Sequence, residues 1–173
     1  REAEEVDKEI KKIVRDVRER IRKLNEDNRR IAEKVKREIE ELNKRNRDTA
    51  KEIEKRGDKD LVDKVVKDVK KSNEDVKEIV KEVAKRAKES NDEAEKIVRD
   101  VVRRAKELLR RLPPGDELRE IERDVDRLVE ELRKLVEDSR RTTKRLVEEL
   151  DELVETSDRE TEKLVRKLRE RER

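Results

Sequence analysis

Carboxylates are the side chains in this sequence with the most obvious chemical potential. The chain has 50 acids, enough in number for acid–base catalysis or metal binding. Di-metal sites in helical bundles combine Glu ligands with a Glu-x-x-His motif, and this chain has no His. Its acids instead alternate with Lys and Arg at i, i+3 and i+4 spacings, the pattern of a solvated, ion-paired helix surface. Nucleophilic catalysis needs an activated Ser, Cys or Lys beside a base and an oxyanion hole. With neither His nor Cys present, the serines read as polar groups of a core. The expectation is therefore no enzyme activity, with no catalytic, cofactor-binding or metal-binding residue.

The bases point to no partner either. There are 53 Lys and Arg, for a net charge of +3 and a pI near 9.0. They are interleaved with acids: even the most basic stretch, Arg99 to Arg111, contains Asp100 and Glu107. Nucleic-acid binding usually adds aromatic stacking platforms to such charge, and aromatics are absent. Membrane-surface binding would need bulky interfacial anchors, and a span would need roughly 18 consecutive apolar residues. The sequence supplies neither. No nucleic acid, membrane or small molecule is expected as a partner. Arg56-Gly57-Asp58 spells an adhesion tripeptide, but a last-turn cation, a C′ glycine and an N-cap acid explain the same letters. No Met and no targeting signal opens the chain, which points to trimming or a removed tag and assigns no compartment.

The uncharged hydrogen-bonding side chains remain. There are 15, all Asn, Ser or Thr. Chains of only 29% hydrophobic content are often disordered, but balanced charge and strict apolar periodicity argue against that here. The 44 Val, Ile and Leu residues are too few for a near-spherical core yet sufficient for a stripe on each of several slender helices.

Helix breakers fall in two places, Gly57 and Pro113-Pro114-Gly115. Gly57 suits a C′ position, and Asp58 or Asp60, then Asp116, can serve as N-caps. Neither proline can continue the preceding helix. Three helices follow, over about residues 3–56, 59–112 and 117–171, each about 54 residues and about 80 Å long. Turns near 57–58 and 113–116 are short enough to force antiparallel neighbours. The predicted fold is all-α, a single domain over 1–173 built as an up-down-up three-helix bundle.

The apolar seams support it. The first helix presents Ile10, Ile13, Val17, Ile21 and Leu24. The second presents Val65, Val69, Val76, Ile79 and Val83. On the third helix Ile121, Val125, Leu128, Leu132 and Leu135 form the seam, with Val129 and Val136 widening it. The pattern repeats every 18 residues, SNEDVKEIVKEVAKRAKE (72–89) leading into SNDEAEKIVRDVVRRAKE (90–107). Eighteen residues make five turns of 3.6, so nearly straight helices are expected.

Many of the polar residues interrupt those seams. Folding the chain at its turns puts residues of the first two helices at one height when their numbers total about 115, and of the last two at about 229. Asn25 then meets Ser90 and Ser139, and Asn43 meets Ser72 and Ser157. One layer collects Asn25, Asn28, Ser90, Asn91, Ser139, Thr142 and Thr143. The other collects Asn43, Asn46, Ser72, Asn73, Thr156 and Ser157, with Thr49 and Thr161 at its margin. Asn73 and Thr142 are the candidates for the solvent rim. A buried amide or hydroxyl left unpaired costs about 1–3 kcal/mol, so a sheared or mis-threaded bundle would strand several at once. The layers thus specify register, as one buried Asn does in a coiled coil.

With its 18-residue repeat, Glu/Lys/Arg surface, aliphatic core and stacked polar layers, the chain resembles the computationally designed helical bundles with buried hydrogen-bond networks. Members of that class serve as scaffolds, association modules or switch components, so the resemblance implies no enzyme activity. The expected function is a monomeric structural scaffold. The alternative is an association module, completed by a designed partner helix or by a second copy of the chain.

Overall fold

The computed structural model describes residues 1–56 and 59–171. Three helices account for nearly all of them: α1 (Glu2–Arg56), α2 (Lys59–Leu109) and α3 (Asp116–Arg171). Acids open each helix and bases close the first two, matching the positive N-terminal and negative C-terminal ends of the helix dipole. Pairs such as Lys11–Asp7 (2.9 Å) and Arg141–Glu137 (2.8 Å) link successive turns. No strand occurs among the described residues.

The helix ends differ from the sequence-based expectation at three points. Regular α2 stops at Leu109 and not at 112. Beyond it, Arg111 N–H donates to Leu108 C=O and Leu112 N–H to Leu109 C=O, each three residues back. Pro113 disfavours α geometry at Leu112, so the last turn tightens while Leu112 stays buried in the core. At the start of α3, Gly115 C=O accepts from Arg119 N–H, which makes Gly115 the N-cap and Asp116 the first helical residue. A Cβ on Gly115 would meet nothing within 4 Å. Asp60 lies inside the first turn of α2 and not at its cap. The first turn, with the roles expected of Gly57 and Asp58 and the whole Arg56-Gly57-Asp58 tripeptide, lies outside the described residues.

Two compact units divide the chain: Arg1–Asn28 with Arg86–Thr143, and Arg29–Lys85 with Lys144–Arg173. In the first, side-chain contacts give the helix directions. Glu9 meets Arg104 and Arg20 meets Glu93, so α1 and α2 are antiparallel; Arg18 meets Glu131 and, further along both helices, Asn25 meets Ser139, so α1 and α3 are parallel. One continuous apolar cluster fills this unit, centred on Ile10, Val14, Ile21, Ala105 and Leu132, each at most 1% exposed. In the second unit Arg47–Glu160 and Glu54–Lys167 hold α1 parallel to α3, and Lys77–Asp158 ties in α2. Its core has two clusters, one around Ile39, Val80 and Leu150, the other around Ile53, Val66 and Leu168.

Two seam assignments shift. Ile79 is 42% exposed, while Val80 is 4% exposed and sits in the core. Val76, Val80 and Val83 follow the 4-then-3 rhythm of a helix face, and Ile79 lies about 100° off that line. On α3, Val129 and Val136 join Leu132 at the buried centre, and Leu128 and Leu135 flank it half-buried.

Candidate functional site: the two polar layers

Within the first unit, Ser139 of α3 is the hub. Its Oγ lies 2.8 Å from Asn91 Oδ1 on α2 and also contacts Asn25 Oδ1 on α1. Beside this triad Asn28 Nδ2 donates to Ser90 Oγ at 3.2 Å. Within the second unit, Ser157 Oγ lies 2.6 Å from Asn43 Oδ1 and 3.2 Å from Asn73 Oδ1. Asn73 Nδ2 in turn donates to Thr161 Oγ1 at 2.6 Å. Both hubs are therefore an Asn–Ser–Asn triad joining α1, α3 and α2.

The two triads are related by the 18-residue repeat. Asn25 and Ser139 are 114 residues apart, as are Asn43 and Ser157. On α2 the partner moves the other way, from Asn91 to Asn73, as antiparallel packing requires. Ser139, Ser157, Asn73, Asn91 and Thr161 are all buried, at 3–8% exposure. Among the described residues no buried side-chain nitrogen or oxygen lacks a partner.

The heights follow the folded sequence, but the α2 partners are displaced by one residue. Ser90 and Ser72 are half-buried, while Asn91 and Asn73 occupy the centre. Asn73 is thus a core residue and not a rim one. Spacing carries the signal that identifies it: Asn73, Val76 and Val80 share one face, as do Ala87, Asn91, Ala94 and Val98, all buried. Thr161 is on the seam for the same reason, one turn beyond Ser157 and one turn before Val165 and Leu168. Thr142, Thr143, Asn46 and Ser72 are half-buried, and Thr49 and Thr156 are exposed.

Ion pairs border each triad. Arg140, next to Ser139, donates to Asp92 (3.0 Å) and Glu95 (2.6 Å) of α2. Hydrogen bonding to Asp92 is the main cause holding its guanidinium above the ordinary arginine range. Asp158, next to Ser157, pairs with Lys77 at 2.9 Å, and Glu74 joins at 3.3 Å. These bonds raise the Lys77 pKa. A raised lysine value means any stabilisation is complete below the ordinary range and is lost as pH climbs through the raised value. Such exposed pairs contribute little to stability and weaken with salt.

Chemically, the layers offer amides and hydroxyls bonded to one another. Among the described residues no group of three or more acids is placed to hold a metal, and no helix is long and apolar enough to cross a membrane.

No family model and no curated protein matches the chain. Among solved structures it is similar to a "Computationally designed three helix bundle", at 14% sequence identity and a TM-score of 0.51, covering 98% of this chain and 88% of that one. The likeness establishes a three-helix bundle fold.

Proposed function

We propose that this chain is a designed structural scaffold without natural biochemical activity, a single helical-bundle domain over residues 1–173 whose register is specified by its two polar layers. The observation that carries the reading is the recurrence of one Asn–Ser–Asn triad at the same 114-residue offset, its Ser and α2 Asn buried and its α1 Asn half-buried both times. Burying amides costs stability relative to aliphatics, and a fold that does so twice in the same geometry gains uniqueness in return. The designed bundle of similar fold supports a designed origin.

A second reading, an association module, is favoured by one observation. In the first unit a groove of about 710 Å³ runs between α2 and α3, with half-buried Val102, Leu109 and Leu118 along it. Its floor residues Leu112, Val125 and Val129 are already buried, and Ile79 is the sole exposed large hydrophobic among the described residues. That leaves little of the roughly 800 Å² per partner that a stable interface covers.

Size-exclusion chromatography with light scattering, from micromolar concentration upward, separates the two. The scaffold reading expects 20.9 kDa throughout. A larger mass that grows with concentration would establish self-association in its place, and capture of a separate helix by the monomer would establish a heteromeric module.

A further inference from the structure

We propose that the second polar layer binds one water molecule, held by Asn46, Asn43 and Thr161 beneath the Arg47–Glu160 ion pair. Counting protons sets the direction of each hydrogen bond in the layer. Ser157 has one hydroxyl proton, yet its Oγ is within reach of two amide oxygens, at 2.6 and 3.2 Å. It can satisfy only one of them. Asn73 already commits its Nδ2 to Thr161, so its Oδ1 must face Ser157 and take that proton. Asn43 is then left to turn its amide and give Nδ2–H to the Ser157 lone pair. The Thr161 proton is then free for a carbonyl one turn back on its own helix, a bond open to any helical threonine. Reversing every bond would turn the Asn73 amide around and give up both the Nδ2 donation to Thr161 and the Oδ1 beside Ser157.

Turning Asn43 swings its Oδ1 toward a small pocket between α1 and α3. That pocket has a volume of about 30 Å³ and is lined by Asn43, Asn46, Ser157, Thr161 and Leu164, with exposed Arg47 and Glu160 at its edge. A water needs roughly 10–15 Å³ of such space and two to four polar partners. The pocket therefore admits water and excludes any organic ligand. Asn46 supplies the remaining donor. It makes no side-chain hydrogen bond among the described residues, whereas Asn28, its equivalent 18 residues earlier, is bonded to Ser90. The water accepts from Asn46 Nδ2 and donates to Asn43 Oδ1 and Thr161 Oγ1. It does in layer two what Ser90 does for Asn28 in layer one.

The bound water depends on the closure of the second layer but not on the layer's role in specifying register, which is tested separately by mass and spectral heterogeneity. The test is water–protein cross-relaxation by NMR on the intact ¹⁵N-labelled chain. The side-chain NH₂ groups of Asn46 and Asn43 and the Thr161 side chain are expected to show negative water cross-peaks, the sign of a water held well beyond the sub-nanosecond residence of surface hydration. Asn28, whose NH₂ sits on the Ser90 hydroxyl, is expected to show only the weaker cross-peaks relayed by exchange of that hydroxyl. Asn46→Leu should abolish these peaks at Asn43 and Thr161 while leaving the backbone spectrum outside this layer in place. Should that variant fail to fold, the Asn46 and Asn28 signals of the parent still decide the matter. Cross-peaks of the short-lived, surface-water kind at Asn46, or equal ones at Asn28, would overturn the proposal.

Discussion

Leu132→Ala is expected to lower the unfolding free energy by about 3 kcal/mol, the middle of the range for a leucine truncated in a packed core. Leu132 is 0% exposed and belongs to the same cluster as Ile10, Ile21 and Ala105. Truncation forfeits the transfer free energy of the removed methyl groups and, where a cavity persists, the dispersion attraction of the atoms that lined it. The surroundings are poor at filling that cavity, because the cluster has only β-branched residues, leucines and alanines, with no methionine or aromatic side chain to swing in. For a chain of this length the loss corresponds to a fall in Tm of the order of 10 °C, readable by circular dichroism. Leu128→Ala, at a half-buried flank of the same cluster, should cost clearly less. Equal losses at the two positions would mean the core is not centred where the burial places it.

Asn73→Leu is expected to cost about 1–3 kcal/mol, although it puts a more hydrophobic residue of similar size in a site only 5% exposed. The substitution removes the donor to Thr161 and the acceptor beside Ser157 in one step. Ser157 keeps Asn43 as a partner, but the buried Thr161 oxygen loses its side-chain donor and the polar layer is left open on the α2 side. Changing the whole set together, Asn43→Leu, Asn73→Leu, Ser157→Ala and Thr161→Val, leaves no polar group stranded. It should restore stability to at least the parent level, the behaviour seen when a buried polar cluster is exchanged as a unit. Chemical denaturation of the single and combined variants measures both. A single variant as stable as the parent would show that the triad is not closed.

Much of this architecture is legible in the sequence. The 3–4 rhythm of Val, Ile and Leu, one glycine and a Pro-Pro-Gly run suffice for three helices and their approximate ends. Equal helix lengths then place the polar residues at matching heights. Finer features do not follow from those rules. Height matching resolves position along the axis but not around it, so it cannot tell Ser72 from Asn73, although only Asn73 faces inward. Ile79 and Val80 pose the same problem, both being β-branched and adjacent. A buried leucine at 112 fits the seam, so periodicity alone carries α2 that far; the tightening imposed by Pro113 alters hydrogen bonding without moving that side chain out of the core. Which atom of each asparagine faces which serine is set by proton counting across three helices, and no local pattern encodes it.

The central claim is that the layers give the bundle its uniqueness and not its stability. It is tested most directly by removing both triads at once, with Leu for Asn25, Asn43, Asn73 and Asn91, Ala for Ser139 and Ser157, and Val for Thr161. The readouts are the ¹H–¹⁵N spectrum and the mass by light scattering. The account predicts a variant at least as stable as the parent that gives more than one set of amide signals, or a mixture of masses, where the parent gives one set and a 20.9 kDa monomer. A variant with a single sharp set of signals, parent-like helix pairing and monomeric mass would contradict it.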